Sequence, residues 1–159
     1  MRARLGFLLA SFLTACAAAP PSQAGLGAAD SLGVLAAFDS MYAATARLDL
    51  PRTLAAYDTV VSFAHVFDDR LLRGRPALDR FITSAMASLR PFEGTRVDST
   101  HFVPVSRDAI LLVTAYREVI VDTAGNRTPG HGMWTNLFVR RPTGWKILYS
   151  HSTFVADQR

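Results

Sequence analysis

Hydrogen-bonding side chains recur at strand-like spacing near the C-terminus of this chain. Because successive side chains of a strand point to opposite faces, Trp134 and Asn136 share one face of their segment, and Tyr149 and His151 share one face of the next. An imidazole titrates near neutral pH, whereas the indole, amide and phenol groups offer hydrogen bonds. The pattern therefore predicts an aromatic site with polar tips that could bind a small molecule.

A second histidine, His65, lies between Phe63 and Phe67 in the face pattern of an earlier β-branched and aromatic run. It could approach the same space as His151 and take part in proton transfer. A histidine inside a sheet core more often satisfies a neighbouring polar group than it transforms a ligand. A purely structural role therefore stays open for both histidines.

The acidic residues limit the chemistry that the sequence can support. Glu93 and Glu118 are the only glutamates in the chain. Asp68-Asp69 stands at the end of a predicted strand, where paired acids usually form a solvated turn. No two histidines have the spacing of a helical zinc motif, so the sequence predicts neither a metal site nor a cofactor.

The first residues have the composition of an export signal. A basic start precedes an apolar stretch at residues 5–13, which is too short to cross a bilayer as a helix. The following Leu13-Thr14-Ala15-Cys16 resembles the bacterial lipobox, which predicts a lipid anchor on Cys16 and a location in the cell envelope. Cleavage after Ala19 or Ala24 is the alternative, and it would give a soluble exported protein.

Composition predicts a single folded domain. The chain has 159 residues, of which 50% are hydrophobic and 19% charged, so it can bury one core and is not disordered. The domain is expected at residues 29–159, after a signal at 1–15 and a flexible tether rich in Ala, Pro, Gly and Ser at 16–28. The net charge of +4 falls to +2 without the two arginines of the signal, and no basic stripe is present. A nucleic-acid partner is therefore not expected.

Residue periodicity divides the domain into helices followed mainly by strands. Apolar residues at three- and four-residue steps predict helices at 30–48, 51–57 and 76–89. Runs of β-branched and aromatic residues predict strands at 60–67, 97–105, 109–122, 130–141 and 145–154. Because the connections are short, the expected fold is α+β, with three N-terminal helices against a curved antiparallel sheet.

The strand predicted at residues 109–122 is apolar on both faces. Ile110 and Leu112 point one way, and Leu111 and Val113 point the other way. Since the helices can cover only one face of the sheet, a second copy of the chain is expected to cover the other. The sequence thus predicts a homodimer.

Several segments together carry a family resemblance. They are Phe38-Asp39-Ser40-Met41-Tyr42, the turn Arg47-Leu48-Asp49, the break at Gly74 and the ending Gly144-Trp145-Lys146-Ile147-Leu148-Tyr149-Ser150-His151-Ser152. These segments are similar to the SnoaL-like branch of the nuclear transport factor 2-like superfamily. The match covers nearly all of residues 30–154. It implies a cone-shaped α+β fold in which a bent sheet and helices enclose a pocket, and it implies frequent dimers.

The resemblance also assigns expected roles to residues. Tyr116 aligns with a position that faces the cavity in similar proteins, and dehydratases of this kind use histidine with tyrosine. The catalytic set implied in this way is His65, Tyr116 and His151. The ligand-binding residues expected beside it are Tyr42, Trp134, Asn136 and Tyr149.

The superfamily includes enzymes of several classes as well as assembly modules, so the fold does not decide the activity. The buried aspartate of the ketosteroid isomerases has no match here, although Glu118 beside Arg117 keeps an acid near the strand that epoxide hydrolases use. The expected function is binding of a small, largely apolar molecule, with dehydratase- or isomerase-type acid–base chemistry as its catalytic extension. A non-catalytic homodimeric module is the alternative.

Overall fold

A computed structural model describes residues 27–158, which contain three α-helices and seven β-strands. The helices are α1 (Ala28–Ala46), α2 (Leu50–Ala55) and α3 (Arg75–Ala87). The strands are β1 (Ala64–Phe67), β2 (Arg70–Arg73), β3 (Leu89–Ser106), β4 (Ala109–Asp122), β5 (Arg127–Arg141), β6 (Gly144–Ser152) and β7 (Val155–Ala156). The predicted signal, Cys16 and most of the tether lie outside the described residues. Within the described range, no helix is both long enough and apolar enough to span a membrane.

The strands form one mixed sheet in the order β2-β1-β6-β5-β4-β3, with β7 paired to β5. Strand β1 runs parallel to β6, whereas the other pairs are antiparallel. The prediction of a wholly antiparallel sheet is therefore wrong at this pair. Short connections fix only the pairing of consecutive strands, and most of the domain separates β1 from β6 in sequence.

The third helix follows the first strand, as the predicted ranges place it, but the description of three N-terminal helices is not exactly matched. Helix α3 follows β1 and β2, so only two helices precede the first strand. The first strand is shorter than predicted because its expected beginning is a turn, in which Val61 is 98% exposed. Strand β2 was not predicted, and it pairs with β1 through the tight turn at Asp68, whose φ is 50°.

Strand β3 begins eight residues before the predicted strand and contains Pro91. It lies at the edge of the sheet and pairs only with β4, so a residue without a backbone N–H costs little there. Register shifts on both sides of Glu93 interrupt the ladder near this proline. Such irregularities increase the local twist and bend of a sheet.

Helix α1 packs across the concave face of the sheet. Val34, Phe38 and Met41 of α1 are buried in one core with Ile110 and Leu112 of β4. This part of the concave face is filled by side chains. Toward α3 the same face is not filled, and a cavity lies there.

Candidate functional site

A cavity of about 330 Å³ lies between the concave face of the sheet, α1 and α3. Its volume is at the lower end of the range of small-molecule sites. Most lining side chains are aromatic or aliphatic. The described residues that line it are Tyr42, Thr45, Tyr57, His65, Phe67, Phe81, Ile82, Ala85, Met86, Leu89, Phe92, Tyr116, Glu118, Ile120, Trp134, Ser152 and Phe154.

A more open depression of about 520 Å³ lies between β2 and α3. It is lined largely by exposed polar residues, among them Arg70, Arg80 and Ser84. The enclosed cavity differs because its titratable groups are buried, which makes it the stronger candidate for a functional site.

Glu118 places a carboxyl group in this otherwise apolar cavity. It follows Tyr116 by two residues on β4, so both side chains point to the concave face, and Glu118 is only 8% exposed. The hydroxyl of Tyr42 lies 3.4 Å from its Oε2 atom and also 3.4 Å from the carbonyl oxygen of Arg117, so its one proton is shared between two acceptors. Burial raises the pKa of Glu118 to about 7, and the Tyr42 hydrogen bond offsets this only in part. Glu118 therefore exchanges its proton near neutral pH.

Three aromatic rings surround this end of the cavity. The ring centroids of Tyr42, Tyr116 and Trp134 lie 6.1–6.2 Å from one another. The Tyr116 hydroxyl donates to the carbonyl oxygen of Thr153 at 2.8 Å, and the Trp134 indole N–H donates to Ser150 Oγ at 2.8 Å. Because these two polar tips are already bonded to protein groups, Tyr116 and Trp134 offer a ligand chiefly their rings.

Two glycines of β5 make room for this arrangement. A Cβ atom on Gly132 would lie 2.8 Å from the Tyr116 ring and would clash with the carbonyl oxygen of Thr153. A Cβ atom on Gly130 would lie 2.6 Å from the carbonyl oxygen of Val155. The glycines therefore allow the C-terminal segment to approach β5 and to accept the Tyr116 hydrogen bond.

His65 occupies another part of the cavity wall, on β1. It is 2% exposed, and its ring centroid lies 6.2 Å from that of Tyr57 and 6.4 Å from that of Phe81. Burial and the nearby His151 lower the pKa of His65 to about 4, so its imidazole is neutral at physiological pH. Among the described residues, none forms a hydrogen bond with the buried Nδ1 atom of His65. This nitrogen is inaccessible even to water, so His65 presents chiefly the rest of its ring to the cavity.

The structure brings four of the seven predicted side chains to the cavity, namely Tyr42, His65, Tyr116 and Trp134. Asn136, Tyr149 and His151 do not line it. Asn136 does point to the concave face, but it is fully buried in the floor of the core, and both polar atoms of its side chain have no partner within the described chain. The core packing covers Asn136 and separates it from the cavity.

A β-bulge in β6 explains the misplacement of Tyr149 and His151. Leu137 pairs with Tyr149, whereas its neighbour Phe138 pairs with Ile147, so Leu148 is an extra residue in β6. Strict alternation from Ile147 would place Tyr149 and His151 on the concave face, but the extra residue reverses the alternation. The expectation that these two side chains reach the cavity is therefore corrected.

The reversed alternation turns two serines inward instead. Ser150 and Ser152 are buried, Ser150 accepts the Trp134 hydrogen bond, and Ser152 lines the cavity. Sequence reasoning did not propose either serine. A bulge of this kind leaves no clear mark on a single sequence, because Leu148 is an ordinary strand residue.

Of the other cavity residues that the predicted site lacked, Glu118 is the one with an ionisable carboxyl group. Its position in the sequence could have indicated it, because Glu118 continues the series of Thr114 and Tyr116, whose side chains point to the concave face from β4. Its neighbour Arg117 points to the opposite face, where it donates to Asp98 at 2.8 Å. The described residues contain no group of three or more His, Cys, Asp or Glu side chains placed to hold a metal ion.

Comparison with solved structures identifies the fold. Similar chains include a dehydratase candidate of the nuclear transport factor 2-like family from Streptomyces avermitilis, with 22% identity, a TM-score of 0.71, and coverage of 80% of this chain and 97% of that one. A ketosteroid isomerase-like protein from Erwinia carotovora atroseptica has 18% identity and a TM-score of 0.66, with coverage of 79% and 96%. A nuclear transport factor 2-like superfamily protein from Salmonella enterica has 12% identity and a TM-score of 0.69, with coverage of 82% and 93%.

At these identities the solved structures establish a nuclear transport factor 2-like α+β fold with a curved mixed sheet, and no more than the fold. No protein of curated function matches the chain. The model of the SnoaL-like domain matches residues 34–157, which include every residue that lines the cavity. The chain therefore belongs to the SnoaL-like domain family.

Proposed function

We propose that this domain binds a small, largely apolar molecule in its cavity and that Glu118 exchanges a proton with the bound molecule. One observation carries the proposal: a nearly buried carboxyl group with a pKa of about 7 projects into a partly enclosed, mostly apolar space. A carboxyl that titrates near the working pH can both give and take a proton. Members of this family are often ligand-binding proteins or dehydratase- and isomerase-type enzymes, and both descriptions agree with such a group.

The surrounding residues have separate roles in this proposal. Tyr42 holds Glu118 through its hydroxyl, while Tyr116 and Trp134 supply apolar contact. His65 adds the ring of a neutral imidazole to the cavity wall. Toward a molecule with a labile C–H next to a carbonyl, or with a hydroxyl leaving group, Glu118 acts as the general base or acid of an isomerisation or a dehydration. His151 has no part in this chemistry because it points to the other face.

The proposal is tested by ligand screening on three proteins: the wild type, Glu118→Gln and the control Glu93→Gln. Glu93 is the only other glutamate and is exposed. A panel of uncharged aromatic alcohols and ketones is screened by thermal shift, and the hits are assayed for dehydration and double-bond migration. We expect hits that stabilise the wild type and the control but act less on Glu118→Gln. A panel without a single stabilising compound, or equal responses of all three proteins, would contradict the proposal.

The alternative function, a non-catalytic homodimeric module, is favoured by the convex face of the sheet. Leu111, Val113 and Leu137 project from this face and are only partly buried, and Met133 is 47% exposed. We propose that a second copy covers this face, in agreement with the homodimer expected from the sequence. Light scattering of the wild type and of Met133→Glu tests it, with a dimer expected for the first and a monomer for the second. A wild-type monomer at micromolar concentration would contradict the dimer.

We also propose that the domain is exported and held at the cell envelope by a lipid on Cys16. The support comes from the sequence alone, through the lipobox-like segment that ends at this cysteine. Mass spectrometry of the protein from its native host tests the proposal. A chain that begins with diacylated Cys16 is expected, whereas a first residue after Ala19 or Ala24 would show ordinary secretion.

A further inference from the structure

The charges around the cavity are unbalanced. Among residues 27–158, Glu118 is the only acidic residue that lines it, and no lysine or arginine of this range does so. The elements packed around Glu118 contribute uncharged side chains: Tyr42 and Thr45 from α1, Ile82, Ala85 and Met86 from α3, Leu89 and Phe92 from β3, Tyr116 and Ile120 from β4, Trp134 from β5 and Phe154 from the C-terminal segment. The nearest arginine in sequence, Arg117, is bound to Asp98 on the opposite face. The described part of the chain thus supplies no cation to an ionised Glu118.

The carboxyl group also has few hydrogen-bond donors. A carboxylate can accept about four hydrogen bonds, but the described residues supply one, the 3.4 Å contact with the Tyr42 hydroxyl. The hydroxyl of Tyr116 and the N–H of Trp134 are occupied by Thr153 and Ser150. Most acceptor positions of Glu118 are therefore open to a donor that a bound molecule brings.

The aromatic rings near Glu118 suit a particular kind of donor. Tyr42, Tyr116 and Trp134 form a cluster in which neighbouring ring centroids lie 6.1–6.2 Å apart. The face of such a ring attracts a cation, and the attraction is stronger when water is excluded. An ammonium group beside Glu118 would be stabilised by the carboxylate and by these rings together.

We propose that the ligand is an amine, whose protonated nitrogen pairs with Glu118 while its apolar body fills the rest of the cavity. The inference rests on the binding part of the proposed function, because it names the class of molecule that the cavity binds; toward that class, the ion pair takes the place of proton exchange with the ligand. It excludes ligands with a carboxylate or phosphate group, since the lining offers such an anion only neutral donors. The ammonium group enters already charged, and a protonated Glu118 releases its proton to solvent as the ion pair forms. Toward an amine, Glu118 therefore serves binding rather than turnover.

The test uses three probes that share one ring system: the amine 1-naphthylmethylamine, the alcohol 1-naphthylmethanol and the carboxylate 1-naphthylacetate, which is the anion of 1-naphthylacetic acid. Calorimetric titration is performed at pH 7.5 on the wild type, Glu118→Gln and the control Glu93→Gln, after circular dichroism shows that each variant is folded. We expect the amine to bind the wild type and the control at least about tenfold more tightly than the alcohol. The acetate should not bind measurably. Glu118→Gln should lose the preference for the amine, because its affinity for the amine falls far more than its affinity for the alcohol.

Proton release gives a second readout that apolar packing alone would not produce. At pH 6, titrations of the amine in two buffers of different ionisation enthalpy should show release of most of one proton per site by the wild type and none by Glu118→Gln. If the alcohol binds but the amine binds no more tightly, or if Glu118→Gln keeps the preference, the amine proposal is overturned and the proposed function stands. If none of the three probes binds the wild type, both fail.

Discussion

Glu118 on β4 and His65 on β1 contribute titratable groups of opposite type to the same cavity. Glu118 has one long hydrogen bond from Tyr42, whereas His65 Nδ1 has no partner among the described residues. Burial raises the pKa of the acid to about 7 and lowers the pKa of the base to about 4. The same loss of hydration keeps both groups neutral, but only Glu118 is left to titrate near physiological pH.

The two groups have opposite effects on the pH dependence of stability. Between pH 4.5 and 7, the unfolded chain loses the Glu118 proton while the folded chain keeps it, so this contribution to stability is complete below pH 4.5 and is lost as pH rises. Between pH 6.5 and 4, the unfolded chain protonates His65 while the folded chain does not, so this contribution is complete above pH 6.5 and is lost as pH falls. Between pH 4.5 and 6.5 one contribution falls and the other rises with pH, so the two changes in stability largely cancel.

The largest expected effect comes from Glu118→Gln, which removes the acid and leaves the histidine. The free energy of unfolding of this variant, relative to that of the wild type, should increase with pH. At pH 8 it should exceed the wild-type value by on the order of 3 kcal/mol, because each pKa unit corresponds to about 1.4 kcal/mol. Urea unfolding at pH 4.5, 6 and 8 measures this, with Glu93→Gln as control. A constant difference from wild type across this range would show that Glu118 titrates as an exposed acid.

His65→Leu should have an effect of similar or slightly smaller size and opposite sign. With the histidine removed, stability should fall steadily as pH rises from 4.5 to 7, since only the Glu118 contribution remains. The same urea series measures the slope, and His101→Gln, at an exposed position of β3, is the matched control. A profile parallel to that of the wild type would refute the assignment of His65 as a buried neutral base.

The contrast between these two residues also shows which parts of the site the sequence could predict. The bounds of β4 were predicted as the structure has them, and His65 was placed correctly, because alternation is reliable within a regular strand. Glu118 obeys the same alternation, but a glutamate beside an arginine is typical of a solvated face. Its burial depends on Tyr42, which is 76 residues away in sequence. No local pattern contains that contact.

The parts that could not be predicted arise from interactions between distant strands. The parallel pairing of β1 with β6 joins segments about 85 residues apart, as in the pair Ala64 and Tyr149. The bulge at Leu148 is defined by its partners on β5 and not by the composition of β6. One extra residue was enough to exchange Tyr149 and His151 for Ser150 and Ser152 on the concave face.

A smaller effect is expected from Tyr42→Phe, which tests the hydrogen bond that Glu118 receives and that His65 lacks. Without the Tyr42 hydroxyl, burial acts on Glu118 unopposed, so the pKa of the carboxyl should rise further above 7. Titration of the glutamate side chains by carbon-13 NMR measures the change. Tyr116→Phe is the control, because its hydroxyl donates to Thr153 and not to Glu118. Equal shifts in both variants would assign the effect to packing of the rings.

The smallest effect is expected from Arg117→Gln, next to Glu118 in sequence but on the convex face of the sheet. Arg117 donates to Asp98, which also accepts from Arg96, and all three side chains are at the surface. The variant should lose little stability, and the loss should shrink further in high salt because solvent screens exposed ion pairs. The pKa of Glu118, followed by the same NMR titration, should not change. If Arg117→Gln raised that pKa, the guanidinium would act through the sheet on the carboxyl, and the cavity would no longer lack a compensating cation.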